Sequence, residues 1–267
     1  MARGKTTGVS DTSVLIEARG LSKRFGSVEA VRGVDLTLRR GEVLGFLGPN
    51  GAGKTTTMRM LSGYLVPDSG SVRIGGVNLA EQPLEAKRRL GYLAEGAPAY
   101  GEMRVEDFLT FIARARGFAG RAVRQRVADA MEKVHLGAYA GQRIETLSKG
   151  YRRRTGMAQA MLHDPPVLIM DEPTDGLDPN QKFEVRQLVR ALGRDRAVLL
   201  STHILEEVEA VCTRAVVLHR GATVFDGTPV ELDALAPQSI THGRLDHVFR
   251  MLTASRASTT QVARRRS

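Results

Sequence analysis

The chain has 267 residues, 42% hydrophobic and 25% charged, which can bury the core of one large domain or of two closely joined lobes and is globular, not fibrous. Its formal net charge of +10 fits polyanionic company such as nucleotide phosphates, an anionic membrane surface or nucleic acid, and equally a solvated basic face. One cysteine, Cys212, excludes an intramolecular disulfide and a cysteine zinc cluster, as in a reducing cytoplasm, and no apolar run approaches the ~18 residues that span a bilayer.

Residues 1–13 are small, polar and basic, with no signal-peptide core, and are expected to form a disordered lead-in. Strand signals follow at Val14 to Ala18, Leu21 to Gly26, Val28 to Val31 and Val34 to Leu38, predicting a small antiparallel sheet beside a parallel one. Phe25, in a Lys-Arg-Phe-Gly loop, is either a face for adenine to stack on or a half-buried loop aromatic.

Glu42 to Leu47 is a short apolar run of the kind a buried parallel strand needs. It enters Gly48-Pro49-Asn50-Gly51-Ala52-Gly53-Lys54-Thr55-Thr56, which fits G-x-x-x-x-G-K-[ST] at every fixed position and opens a helix to Leu61. Without Cβ atoms, Gly48, Gly51 and Gly53 let backbone N–H groups turn inward on phosphate oxygens, helped by the positive end of the helix. Lys54 is then placed for the β- and γ-phosphates and the Thr55 hydroxyl for Mg²⁺.

Downstream, residues 83–90 read as a helix and Leu90 to Ala94 as a strand ending in the loop Glu95-Gly96-Ala97-Pro98. Helical spacing from Arg104 to about His135, broken near Gly117 to Gly120, predicts a mainly helical lobe over about 96–163. Inside it, Leu147-Ser148-Lys149-Gly150-Tyr151 opens a helix, with Ser148 as N-cap and Gly150 leaving the first N–H groups uncovered; Ser-x-Gly before a helix is common, so the phosphate contact it offers is weakly specified.

Val167 to Met170 is a continuous apolar strand with Asp171 and Glu172 at its carboxyl end, where an open α/β sheet places its ligands. Asp171 is suited to Mg²⁺ and Glu172 to accepting a proton from an attacking water. Asp178, Pro179 and Gln181 start another helix with a capping pattern. The strand Ala197 to Ser201 delivers His203 to the same edge, as a structural residue or as a γ-phosphate contact. Strands at Ala215 to Leu218 and Thr223 to Phe225 and a helix at Pro229 to Leu235 follow, and residues 236–267 read as a basic tail of low order.

Over about residues 14–232 of a domain expected to span 14–235, these motifs, in this order, resemble the nucleotide-binding subunit of ATP-binding cassette (ABC) transporters. The resemblance implies a P-loop α/β cassette with an antiparallel β subdomain and an inserted helical lobe, binding ATP and Mg²⁺ and hydrolysing ATP. It makes Gly48 to Thr56 Walker A, Asp171 the Walker B metal ligand, Glu172 the catalytic base, Thr174 to Asp178 the D-loop, His203 the switch histidine and Phe25 the adenine-stacking aromatic. Ser148 and Gly150 would close on the ATP of an opposite subunit, most simply in a homodimer. Two motifs depart from the family pattern: Lys149 and Tyr151 replace glycine and glutamine of Leu-Ser-Gly-Gly-Gln, and Glu95 replaces the glutamine that contacts the metal.

These departures resemble the ABC-2 type export branch, including gliding-motility-like ATPases, and imply a separate integral membrane permease with the chain on the inner face of the cell membrane. The alternative is a soluble ABC ATPase of ribosomes or DNA. A single Walker A, and a spacing of 148 − 54 = 94 positions from Lys54 to Ser148, too short for an inserted coiled coil, disfavour it, so no nucleic acid is expected.

Overall fold

The computed structural model describes residues 13–254. Strands β1 (Val14–Phe25) and β2 (Val28–Arg39) form an antiparallel hairpin with Phe25 opposite Val28 at its tip. The four short strands expected here are thus two long ones. Register shifts between Ala18 and Leu21 and between Leu21 and Lys23 bend them without ending them, because a bulge absorbs the extra residue. β3 (Val43–Leu47), buried throughout, runs into the glycine loop and α1 (Lys54–Leu61). β4 (Ser69–Ile74) and β5 (Val77–Asn78) complete a four-stranded antiparallel sheet in the order β2-β1-β4-β5.

After α2 (Pro83–Arg88) and β6 (Leu90–Leu93) come three helices that pack on one another: α3 (Val105–Ala115), α4 (Gly120–Lys133) and α5 (Lys149–Met161). Strand and helix then alternate through β7 (Val167–Asp171), α6 (Pro179–Leu192), β8 (Ala197–Thr202), α7 (Leu205–Val211) and β9 (Arg214–His219), and β10 (Ala222–Gly227) turns back on β9. Helices α8 (Pro229–Ala234) and α9 (Arg244–Thr253) follow.

The six-stranded sheet has the order β10-β9-β3-β8-β7-β6, parallel from β9 to β6. Its central strands β3, β7 and β8 are apolar up to their carboxyl ends because both faces are covered. Alternate residues feed opposite cores: Leu168, Met170, Val198 and Leu200 pack with the helices, while Val167, Ile169, Ala197 and Leu199 pack with α1 and the antiparallel sheet. β3, β8 and β7 lie side by side, with Leu47 paired to Thr202 and Ser201 to Asp171, so their carboxyl ends deliver three loops to one edge.

The tail expected from residue 236 is corrected by α9, which buries Leu245 and Val248 in a third cluster with Leu232, Phe225 and Phe249, and whose Arg244 Nε bonds Asp233 Oδ2 at 2.8 Å. Its apolar residues, Leu245, Val248, Phe249 and Leu252, recur at helical spacing, and covering the end of the sheet orders the segment. The expected lead-in, apart from Ser13, and the tail beyond 254 lie outside the described residues.

Candidate functional site

The glycine loop is shaped by close backbone approach. Gly53, at the N-terminus of α1, has φ 102°, and a Cβ there would meet the Ala30 carbonyl oxygen at 2.5 Å; one on Gly48 would meet the Leu218 carbonyl oxygen at 2.5 Å. Neither contact can yield, since both involve backbone of neighbouring strands. The loop encloses a cavity of about 160 Å³ lined by Asn50, Gly51, Ala52, Gly53, Lys54, Thr55 and Thr56, with Glu95 and Glu172 facing them.

Lys54 is buried, and its Nζ donates to the carbonyl oxygens of Gly48 at 2.6 Å and Pro49 at 3.3 Å. Burial lowers its pKa, opposed by the nearby carboxyls of Glu172, Asp171 and Glu95. The cavity floor thus carries a cation gathered among three acids, an arrangement suited to phosphate and metal together.

Asp171, at the end of β7, is 1% exposed. Its Oδ1 accepts from Ser201 Oγ at 2.5 Å, whereas Oδ2 is buried without a hydrogen-bond partner. Glu172 has φ 51°, a left-handed conformation that costs a non-glycine residue roughly 1–2 kcal/mol. Ser201 Oγ stabilises it by accepting from the Glu172 N–H at 2.9 Å. One hydroxyl therefore sets the angle of both acids. Beyond them, Glu172 Oε2 lies 2.7 Å from His203 Nδ1, with the imidazole 53% exposed. Arg153, buried on α5, donates to the carbonyl oxygens of Ala94 and Asp171, each at 3.5 Å, tying the helices to this edge and to the loop of Glu95.

Not every expected site residue meets here. Phe25 stands half exposed at the hairpin tip, with Lys23 Nζ 5.9 Å from its ring centre, and is not among the residues lining the cavity. Ser148 and Gly150 are also outside it. Ser148 caps α5, its Oγ accepting from the Tyr151 N–H at 3.4 Å, and is itself exposed. Lys149 reaches from there to Asp175 at 2.8 Å, and Gly150 packs under the Gln181 side chain. Ser201, Arg153 and Thr202 carried no motif signal, although Ser201 ends a strand already read as entering the site.

Residues 31–175 match the family described as ABC transporter. The ABC transporter ATP-binding protein YxlF of Bacillus subtilis (strain 168) is 39% identical over 218 residues, 82% of this chain and 72% of the relative. Nod factor export ATP-binding protein I of Ralstonia nicotianae is 36% identical over 226 residues, 84% and 70% of the two chains. Among solved structures, an ATP-binding subunit of an ABC transporter superposes with TM-score 0.79 at 29% identity, covering 89% of this chain and 99% of its own. A dimeric cassette in a post-hydrolysis state, bound to ADP and Pi, shares the fold with TM-score 0.74 at 20% identity over 80% of this chain and 99% of its own.

Proposed function

We propose, from the premise that the chain belongs to the ABC transporter family as an ATP-binding, ATP-hydrolysing subunit, that it works as a homodimer on Mg-ATP and drives an export permease of the ABC-2 type from the inner face of the cell membrane. The observation that carries the reading is the gathering of Lys54, Asp171 and the Glu172–His203 pair at the ends of three adjacent strands. That the matched relatives include an export subunit supports the direction of transport. No helix among the described residues is long and apolar enough to cross a membrane, in keeping with a separate permease.

The residues present fit a magnesium ion. Asp171 Oδ2 is a buried oxygen lacking a partner, one residue before Glu172, which lines the cavity together with Thr55. Among the described residues no group of three or more His, Cys, Asp or Glu side chains could hold a metal, as expected for an ion that takes one or two protein oxygens and completes its shell with phosphates and water. Thr55 and Asp171, with Glu95 facing them, would hold it, and its chemistry there is neutralisation of phosphate charge.

The chain's own groups would do the rest. Lys54 would exchange the Gly48 and Pro49 carbonyls for phosphate oxygens, and the N–H groups of Asn50 to Thr56 would turn on the same anion. Glu172 would accept the proton of the attacking water, held in aim by Ser201 and His203. His203, being exposed, is free to reach the transferring phosphoryl group. Phe25 would stack on the adenine. Ser148 and the N–H groups at Gly150 would complete the site of a second copy, a reading supported by the dimeric cassette of the same fold.

The permease would dock on the groove of about 320 Å³ lined by Tyr64, Tyr92, Ala97, Pro98, Gly156 and Gln159. Tyr64, Tyr100 and Phe111 are large apolar side chains left exposed on the chain. The test is phosphate release from Mg-ATP by the wild type and Glu172→Gln. Steady release by the wild type and a loss of about 10²-fold or more in the variant are expected; equal release in both would overturn the assignment of the base.

A further inference from the structure

Glu207, in the first turn of α7, belongs to no motif, yet its side chain is among the most deeply buried polar groups of the chain, at 2% exposure. Its Oε1 accepts from Thr174 Oγ1, in the loop after β7, and its Oε2 from Thr202 Oγ1, the last residue of β8, at 2.8 Å. Thr174 and Thr202 are themselves buried. Arg186 Nη2, on α6, stands 3.9 Å from Oε1, and Thr202 Oγ1 also accepts from the Ile204 N–H at 3.0 Å. Thr174 lies two residues past Glu172 and Thr202 one before His203, and Glu172 and His203 bond each other at 2.7 Å. Together these contacts close a ring: Glu172 to Thr174 along the chain, across to Glu207, on to Thr202 and His203, and back to Glu172.

From this ring we infer that Glu207 is a positioning residue for ATP hydrolysis, which sets the separation of Glu172 from His203 and makes the loop Thr174 to Asp178 move with His203. A fully satisfied buried network locks the rotamers of its members, and a carboxyl with two acceptor oxygens is the one short side chain that can take a hydroxyl from each of two loops. Glu207 touches no reacting atom. Its effect runs through the two hydroxyls, and misplacing a catalytic group by about 1 Å costs on the order of 10²-fold in rate. The role in hydrolysis rests on the proposed function; the ring itself is a property of the free chain.

Two readouts separate them. In the nucleotide-free protein, the imidazole NMR signals of His203 report its bond to Glu172. Thr174→Val, which touches neither residue, and Glu207→Gln should both move them, while Thr174→Ser, which keeps the hydroxyl, should not. In Mg-ATP turnover, Glu207→Gln, Thr174→Val and Thr202→Val should each lower kcat about 10- to 100-fold with KM within about twofold, and Thr174→Ser should recover most of the loss. The double variant Thr174→Val/Thr202→Val should be little worse than either single, because a ring opens once.

His203 signals unmoved in Thr174→Val would overturn the inference whether or not the protein turns over ATP. So would wild-type kcat in Glu207→Gln, multiplicative losses in the double variant, or a loss carried by KM. Signals that move as expected in a wild type releasing no phosphate would leave the ring standing and count against the proposed function.

Discussion

Around the phosphate loop the acids and their partners are joined inside one chain and largely buried: Ser201 bonds both Asp171 and Glu172, Glu172 bonds His203, and Lys54 sits on the carbonyls of its own loop. At the N-terminus of α5 the arrangement is looser. Ser148 bonds only the start of its own helix, at 3.4 Å, and the pair that ties this end to the loop after β7, Lys149 with Asp175, is about half exposed on both sides. The first region is preorganised to hold and process a nucleotide. The second presents the exposed Ser148 hydroxyl at a helix N-terminus whose Gly150 is covered by Gln181. On the proposed function, this difference would be a division of labour between two copies, with binding and chemistry on one chain and closure on the next.

Lys54→Ala should have the largest effect on this contrast. Removing the buried cation leaves Glu172, Asp171 and Glu95 repelling phosphate, and both nucleotide affinity and turnover should fall, the latter on the order of 10³-fold. Fluorescent-nucleotide titration with phosphate release checks both. Unchanged affinity would mean that the loop's N–H groups bind without the lysine.

At the looser end the expectation is smaller and of a different kind. Lys149→Met removes an exposed ion pair worth no more than about 1 kcal/mol, and with it the partner that holds the Asp175 carboxyl below the usual carboxylate range. Turnover should fall a few-fold with nucleotide affinity unchanged, and added salt should bring the wild type toward the variant. A loss as large as that of Lys54→Ala would erase the contrast.

The smallest effect on turnover belongs to a group outside both regions. His163 bonds the Leu90 carbonyl oxygen through Nε2 at 3.0 Å, and burial pushes its imidazole down to about 4 from the ordinary 6.5. The unfolded chain therefore takes up this proton at higher pH than the folded one. Stability is full above about pH 6.5 and is lost as pH falls toward 4, by up to roughly 3 kcal/mol. Denaturant unfolding at several pH values should show a flatter acid limb in His163→Gln, while turnover at pH 7.5 stays that of the wild type.

What could be read from the sequence follows how local each feature is. Gly48 to Thr56 is one consecutive run, and the strands of Val167 and Ala197 are continuous apolar segments, so loop, strands and their terminal acids were legible directly. Glu207 was not. Its partners Thr174 and Thr202 lie 33 and 5 positions away and meet it only because β7 and β8 are neighbours. In α9 the Leu245, Val248, Phe249, Leu252 spacing was present, but the Ser, Thr and Arg around it dominated the local composition. The strand signals at Val14 to Ala18 and Val28 to Val31 stop short, whereas bulged pairing carries β1 on to Phe25 and β2 to Arg39.

The division of labour is tested most directly by the molar mass, from light scattering after size exclusion, of Glu172→Gln in Mg-ATP, with and without Ser148→Ala. The account predicts a dimer for Glu172→Gln that forms only with nucleotide and reverts to monomer when Ser148→Ala is added, while the double variant still binds ATP. A dimer that forms without nucleotide, or one that persists when Ser148 is replaced, would contradict it.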